Sequence, residues 1–205
     1  MSEIVRSANR LLAALPAKEY NRLLPKLREV PLTYTETVYE PGDVIRRVYF
    51  PISGIISLLS AVGERSLLEV GIVGNEGFVG LPVFLGVKTS GNRALVQGAG
   101  VALEMKTTDF LAECKNGGAL PTLLQRYTHS LLTQISQSAV CNRFHAIEAR
   151  LARWLLMTAD RMGSNDFQIT QEFLSNMLGV RREAVSKSAT NFQQRQLISY
   201  SRGNI

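Results

Sequence analysis

The stretch ITQEFLSNMLGVRREAVSK, Ile169–Lys187, reads as two short helices joined by a tight turn. Thr170 stands where a side-chain cap belongs, with Glu172 favourable in the first turn. Phe173, Leu174, Met177 and Leu178 give the first helix an apolar face. Gly179 can take the left-handed conformation that ends it. Val180 turns inward, and Val185 marks the buried side of a second helix that starts at Arg181 or Arg182 and runs to Arg195. This is helix-turn-helix punctuation, in which the second helix lies in the DNA major groove.

The outer side of that second helix carries Arg181, Arg182, Glu183, Ser186 and Lys187. Arginine can clamp guanine O6 and N7, glutamate can accept from cytosine N4, and lysine neutralises phosphate. An ordinary solvated helical hairpin is the plainer alternative. One local choice runs against capping rules: an arginine precedes the second helix where Ser, Thr, Asp or Asn would cap better.

Charge supports the DNA reading. The chain has a formal net charge of +6 and a pI near 9.6. From Arg143 onward nine basic residues face five acidic ones, leaving +4 in the final third. That asymmetry favours a polyanion bound through the C-terminal part. An apolar content of 45% suits a packed globular chain. Cys114 and Cys141 do not make a disulfide scaffold, and the lack of a signal peptide points to the cytoplasm. No apolar run is long enough to span a bilayer, so no membrane partner is expected.

Working back from the helix-turn-helix, Phe167–Ile169 is a strand, and Gly163-Ser164-Asn165-Asp166 closes an amphipathic helix over Glu148–Arg161. That helix buries Leu151, Trp154, Leu155 and Met162. Phe144-His145-Ala146 is a hinge. Before it, a long helix from Leu120 to Arg143 carries Leu120, Leu124, Tyr127 and Leu131 at alternating four- and three-residue spacing, continued by Ile135 and Ala139. That stripe is either intramolecular core or a coiled-coil seam between subunits. The seam is favoured, because two-helix DNA readers commonly act as dimers on two-fold operators.

Residues 1–29 read as helical, with breaks at Pro16 and Pro25. From Val30 the texture becomes short β-like runs: Thr35–Tyr39, Val44–Phe50, Ile55–Leu59, Leu67–Val73, Ala94–Gln97 and Val101–Met105. Glu40-Pro41-Gly42-Asp43, Ser53-Gly54, Val62-Gly63-Glu64 and Gly74-Asn75-Glu76-Gly77 punctuate them. Such spacing argues for a small barrel or double-sheet roll. Thr107 or Thr108 caps a short helix that Asn116-Gly117-Gly118 breaks. The glycines at 71, 74, 77 and 80 read as turn and barrel-corner residues. After the helix-turn-helix, Leu197–Ser201 is a strand and Arg202-Gly203-Asn204 a turn. The chain stops at Ile205, where a wing's return strand is expected to begin.

The order of roll, long helix, hinge and winged helix-turn-helix resembles the Crp/Fnr superfamily of bacterial transcription regulators. The resemblance covers nearly the whole chain and is most specific at LGVRREAVS (Leu178–Ser186) and LISYSRG (Leu197–Gly203). It implies an α+β fold with an N-terminal jelly-roll sensor domain like those that bind cyclic nucleotides (1–116), a dimerisation helix (117–143) and a C-terminal winged helix-turn-helix (144–205). In catabolite-activator-like members the recognition helix uses an Arg-Glu pair and a basic residue one turn on. Here those positions are Arg182, Glu183 and Lys187. With Arg181, Ser186 and Thr170 they make the expected DNA-binding set. The expected partners are double-stranded DNA, a second copy of the chain and RNA polymerase.

The sensing half departs from the cyclic-nucleotide pattern of Gly-Glu-hydrophobic-Gly followed by Arg-Ser-Ala. This chain has Gly77-Phe78-Val79-Gly80 and Asn92-Arg93-Ala94, with Ile135-Ser136 where the family places the pair that meets adenine. Phe78, Val79, Gly80, Asn92, Arg93 and Ser136 are therefore the candidate effector residues. Cyclic AMP is not expected, since a buried phosphate needs its hydrogen-bond partners. An iron–sulfur cluster needs four cysteine ligands and the chain has two. No spacing among His129, His145, Cys114 and Cys141 supports haem, so neither cofactor nor metal is expected. No GxSxG, GxxxxGK[ST] or HExxH motif is present, and no catalytic residues are assigned. The expectation is a homodimeric, sequence-specific regulator acting on a near-palindromic operator. The alternative is a sensor or interaction module that does not bind DNA because its wing is short.

Overall fold

The computed structural model describes residues 8–62, 66–201 and 203–205. The turn expected at Gly63-Glu64, and Arg202 of the last turn, lie outside them. The described residues open with α1 (Arg10–Ala13) and α2 (Ala17–Leu23), separated at Pro16 and followed by a short 3-10 turn that holds Pro25. The buried Asn9 fixes this entry. Its Oδ1 accepts from Leu12 N, and its Nδ2 donates to the carbonyls of Pro51 and Gly77 on the roll.

The roll is an antiparallel sheet of β1 (Arg28–Leu32), β2 (Thr37–Tyr39), β3 (Arg47–Val62), β4 (Ser66–Val73) and β5 (Arg93–Lys106), with α3 (Leu81–Phe84) between β4 and β5. The strand order is β1-β5-β3-β4, and β2 also pairs with β5. The expected runs Val44–Phe50 and Ile55–Leu59 are not separated by a turn: most of their length lies in one 16-residue strand that bends through register shifts between Pro51 and Ile56. Ala94–Gln97 and Val101–Met105 are joined likewise in β5. Glycine makes this crossing possible. A Cβ at Gly54, whose φ is +78°, would sit 2.6 Å from the Gly98 carbonyl oxygen, and one on Gly100 would sit 2.4 Å from that of Ser53. The start of the Thr35–Tyr39 run is also corrected: Thr35 has a φ of +65° and belongs to the turn before β2.

The helix α4 (Thr107–Lys115) follows directly, but neither expected threonine caps it. Thr107 donates instead to the carbonyl of Ile45, tying the helix to the roll. The long helix α5 spans Ala119–Phe144. Its first backbone N–H groups, at Ala119 and Leu120, donate to the carboxylate of Glu19, so its cap comes from α2 and not from the preceding loop.

The apolar stripe on α5 packs within its own chain. Leu120, Leu124, Tyr127 and Leu131 are buried in the roll's core, and Ile135 packs beside them. This corrects the favoured seam: the stripe is intramolecular. Close approach explains why. A Cβ at Gly77 would lie 2.0 Å from the Tyr127 ring, and one at Gly71 3.3 Å from Leu131, so these glycines let the helix lie on the sheet. Gln134 adds to the fit, accepting from Ile72 N at 2.7 Å and donating to Ile72 O at 3.2 Å. An edge strand is thereby covered by a side chain that mimics the next strand's hydrogen bonds.

After His145 and Ala146, both extended, come α6 (Ile147–Met162), α7 (Gln171–Leu178) and α8 (Arg182–Gln194). Their core joins Leu151, Trp154, Leu174, Met177, Val185 and Phe192 to Ile55, Leu59 and Ile72 of the roll. The helical part is thus docked on the sheet of its own chain. Among the described residues no helix is long and apolar enough to cross a membrane.

Candidate nucleic-acid interface

Thr170 accepts a hydrogen bond from Phe173 N at 3.1 Å and starts α7 as its side-chain cap. Gly179 ends that helix at φ +61°, its N–H returning to the last turn. Val185 is fully buried and Val180 half-buried, which fixes the angle between α7 and α8. Two further contacts brace the pair: Arg150 donates to the Leu178 carbonyl, and Asn191 donates to Glu148 at 2.7 Å.

This bracing leaves one face of α8 to solvent. Arg181, Arg182, Glu183 and Lys187 are exposed and Ser186 half-buried. Arg182, Glu183, Ser186 and Lys187 line one shallow concavity together with Gln171, Thr190 and Gln194. The structure thus gathers most of the expected DNA set on one surface; Thr170 is exposed at the start of α7, where its hydroxyl serves as a cap. Gln171, Thr190 and Gln194 were missed. The signal for the latter two was present, since Ser186, Thr190 and Gln194 recur at helical spacing. Arg181 makes no side-chain cap, and none of the side-chain hydrogen bonds among the described residues reaches the first N–H groups of α8. The positive end of the helix is open to an anion.

The wing differs from expectation. Residues 197–201 form no regular strand. Phe167 N donates to Ile205 O at 3.0 Å, Ile169 N to Gly203 O at 2.7 Å, and Ile205 N to Phe167 O at 3.1 Å. The return pairing is therefore already made within 203–205. Tyr200 locks it, donating from its hydroxyl to Ile169 O at 2.9 Å, and Gln193 donates to Tyr200 O.

The candidate effector residues do not form a site. Phe78 and Val79 are each 1% exposed and belong to the roll's core. The Phe78 ring packs against Phe50, Phe110 and Tyr127 with centroids 5.7, 5.6 and 5.5 Å away. Gly80 packs on Val48. Asn92 donates to the Leu59 carbonyl, and Arg93 is paired with Glu40 at 2.7 Å. Ser136 is exposed on the far side of α5 from the core stripe. Phe78 is thus part of the packed interior shared by β3, α4 and α5. Burial and the neighbouring Glu113 push the Cys114 thiol up to about 11, which leaves it a poor thiolate, and Cys141 is buried. Among the described residues no cluster of metal-ligating side chains occurs.

Between roll and helices lies a polar chain. Ser57 Oγ is 2.7 Å from Glu69 Oε2 and also contacts Gln97 Oε1, while Gln97 donates to Thr158 of α6 at 3.1 Å. One serine proton cannot serve two acceptors, so with Gln97 Oε1 toward Ser57 the chain from β4 to α6 is complete when Glu69 is protonated. Burial pushes the Glu69 carboxyl up to about 8, against the lowering influence of Ser57, Trp154, Arg161 and Arg153. A carboxyl with a raised folded-state pKa stabilises most below its unfolded value near 4.5 and loses that contribution as pH rises through about 8. Stability should therefore fall by roughly 1–3 kcal/mol between pH 5 and pH 8.5. Glu69→Gln should flatten that slope in thermal melts; parallel pH profiles for both proteins would contradict the assignment.

The C-terminal part, residues 149–205, matches the family model of the Crp-like helix-turn-helix domain. No curated protein matches the sequence. Solved structures do match the fold. The c-di-GMP responsive global regulator CLP of Xanthomonas campestris is 17% identical, covering 92% of this chain and 97% of that one, with a TM-score of 0.72. A CRP-family transcriptional regulator from Thermus thermophilus is 17% identical over 85% and 89%, with a TM-score of 0.70. FixK2 of Bradyrhizobium japonicum is 12% identical over 87% and 90%, with a TM-score of 0.71. Residues 149–205 thus match a Crp-like helix-turn-helix domain, and the chain shares the fold of solved CRP-type transcription regulators.

Proposed function

We propose that the protein is a homodimeric, sequence-specific transcription regulator that binds a near-palindromic operator without cyclic AMP. The observation that carries this reading is the exposed, net-basic face of α8, with Arg181, Arg182, Glu183 and Lys187 in one patch. In it, Arg182 and Glu183 read base edges, while Lys187, Arg181 and the open N-terminus of α8 hold phosphates. Residues 1–116 act as sensor roll, 117–143 as dimerisation helix and 144–205 as DNA-binding domain, all in the cytoplasm. RNA polymerase is a partner through the family resemblance.

The dimer face proposed here is the outward side of α5, opposite the core stripe. Gln125, His129, Leu132, Ser136, Ala139 and Val140 are exposed there at heptad-like spacing. Leu132 and Val140 are 56% and 46% exposed, more apolar surface than a solvated helix needs.

Arg182→Ala is expected to cost about 1–3 kcal/mol on the operator and to relax base preference at one position. Lys187→Ala should weaken specific and random DNA alike and reduce the slope of log K against log salt by about one. Binding titrations of both variants at several salt concentrations check this. Equal losses on operator and random DNA for Arg182→Ala would remove it as a base reader.

A further inference from the structure

A small cavity of about 40 Å³ lies where three parts of the chain meet: Glu69 and Gly71 of β4, Ser138 and Asn142 near the end of α5, and Arg150, Arg153 and Trp154 of α6. Leu178 at the end of α7 closes it on the DNA-binding side. Two donors on its wall are buried and unpartnered, Trp154 Nε1 and Arg150 Nε. Trp154 is only 5% exposed, and Glu69 lies close enough to its N–H to be influenced by it without the two meeting in hydrogen-bond geometry. A buried donor without a partner is costly, and two facing one cavity indicate an absent acceptor. Arg153 also lines this cavity; it donates to Ser138 Oγ at 3.3 Å. Neither Arg150 nor Arg153 is in an ion pair among the described residues.

We infer that this cavity is a binding site for a small oxyanion, held by the indole N–H of Trp154, Nε of Arg150 and the guanidinium of Arg153. Its size admits only a few heavy atoms, about those of a short carboxylate or an inorganic phosphate. Ionised acceptors suit this donor set, because charge-assisted hydrogen bonds from guanidinium groups are the strong ones. Burial raises the Glu69 carboxyl to about 8, which favours its uncharged form at neutral pH and lessens its repulsion of an anion. A bound anion touches β4, α5 and the start of α6 at once, bridging the sensor sheet to the helices that carry α7 and α8. The site stands independently of the DNA reading, since its test uses no DNA.

Trp154 is the sole tryptophan in the chain, so its emission reports the cavity directly. The full chain is titrated separately with acetate and with inorganic phosphate at constant ionic strength, using sodium chloride as balancing salt. The expected result is a saturable change in emission with at least one of them, and the one that saturates distinguishes the carboxylate from the phosphate source. Arg153→Gln should raise the half-saturating concentration by about tenfold or more, and Arg153→Lys by less. Far-ultraviolet circular dichroism confirms that each variant is folded, and Arg126→Gln, outside the cavity, should titrate as the parent does. A response that is absent or linear for both probes, or one that Arg153→Gln and Arg153→Lys both leave unchanged, would overturn the site and leave a hydrated cavity only.

Discussion

Phe78→Ala should destabilise the protein by about 3–5 kcal/mol, because it removes a fully buried ring from a cluster that cannot collapse around the gap. The ring lies between Phe50 of β3, Phe110 of α4 and Tyr127 of α5, each with its centroid within 5.7 Å. The loss therefore has two parts: the transfer free energy of the ring, and the contacts its three aromatic neighbours forfeit to the cavity. Urea melts of parent and variant measure it. Phe78→Leu should lose far less, since a branched aliphatic side chain fills most of the same volume. A loss below about 1 kcal/mol for Phe78→Ala would mean that the interior can close without the ring, and the packing role given to Phe78 would fail.

Gly77→Ala should be nearly as damaging. The added Cβ would fall 2.0 Å from Cε2 and 2.3 Å from Cζ of Tyr127, whose ring is buried against Phe78. Overpacking of this kind costs about 1–3 kcal/mol or more, since either the ring leaves its rotamer or α5 lifts from the sheet. A double-mutant cycle with Tyr127→Leu separates the two causes. If the clash with the ring is responsible, the double variant should be more stable than the two single losses predict, by at least about 1 kcal/mol. Strict additivity would place the cost in the backbone at Gly77.

The helix-turn-helix was legible because its signals are local. A capping threonine, a glycine at φ > 0 and a 3.6-residue apolar period lie within about one helical hairpin of sequence, and each was met. The roll was legible in class but not in detail. Ser53-Gly54 looks like a turn along the chain, yet it is a bend in one strand, and what decides this is the approach of Gly98 and Gly100 from β5. The role of α5's stripe was equally hidden. Periodicity shows that a face is buried, not what buries it, and the small residues that admit the helix, Gly71 and Gly77, are remote from it in sequence. The cap of α5 by Glu19 and the cover of Ile72 by Gln134 arise from side chains far from the groups they serve. For the site, the charged positions of the recognition helix could be read from spacing, whereas the cavity around Trp154 exists only once β4, α5 and α6 have met.

The central claim is that α8 reads sequence in the major groove as one of a symmetric pair. Its most direct test is to incubate the purified full chain with a pool of genomic fragments over a range of salt concentrations and to sequence what is retained. The account predicts enrichment of one near-palindrome whose half-sites lie about 34 Å apart, one turn of the double helix. Retention without enrichment, or no retention even at low salt, would contradict it.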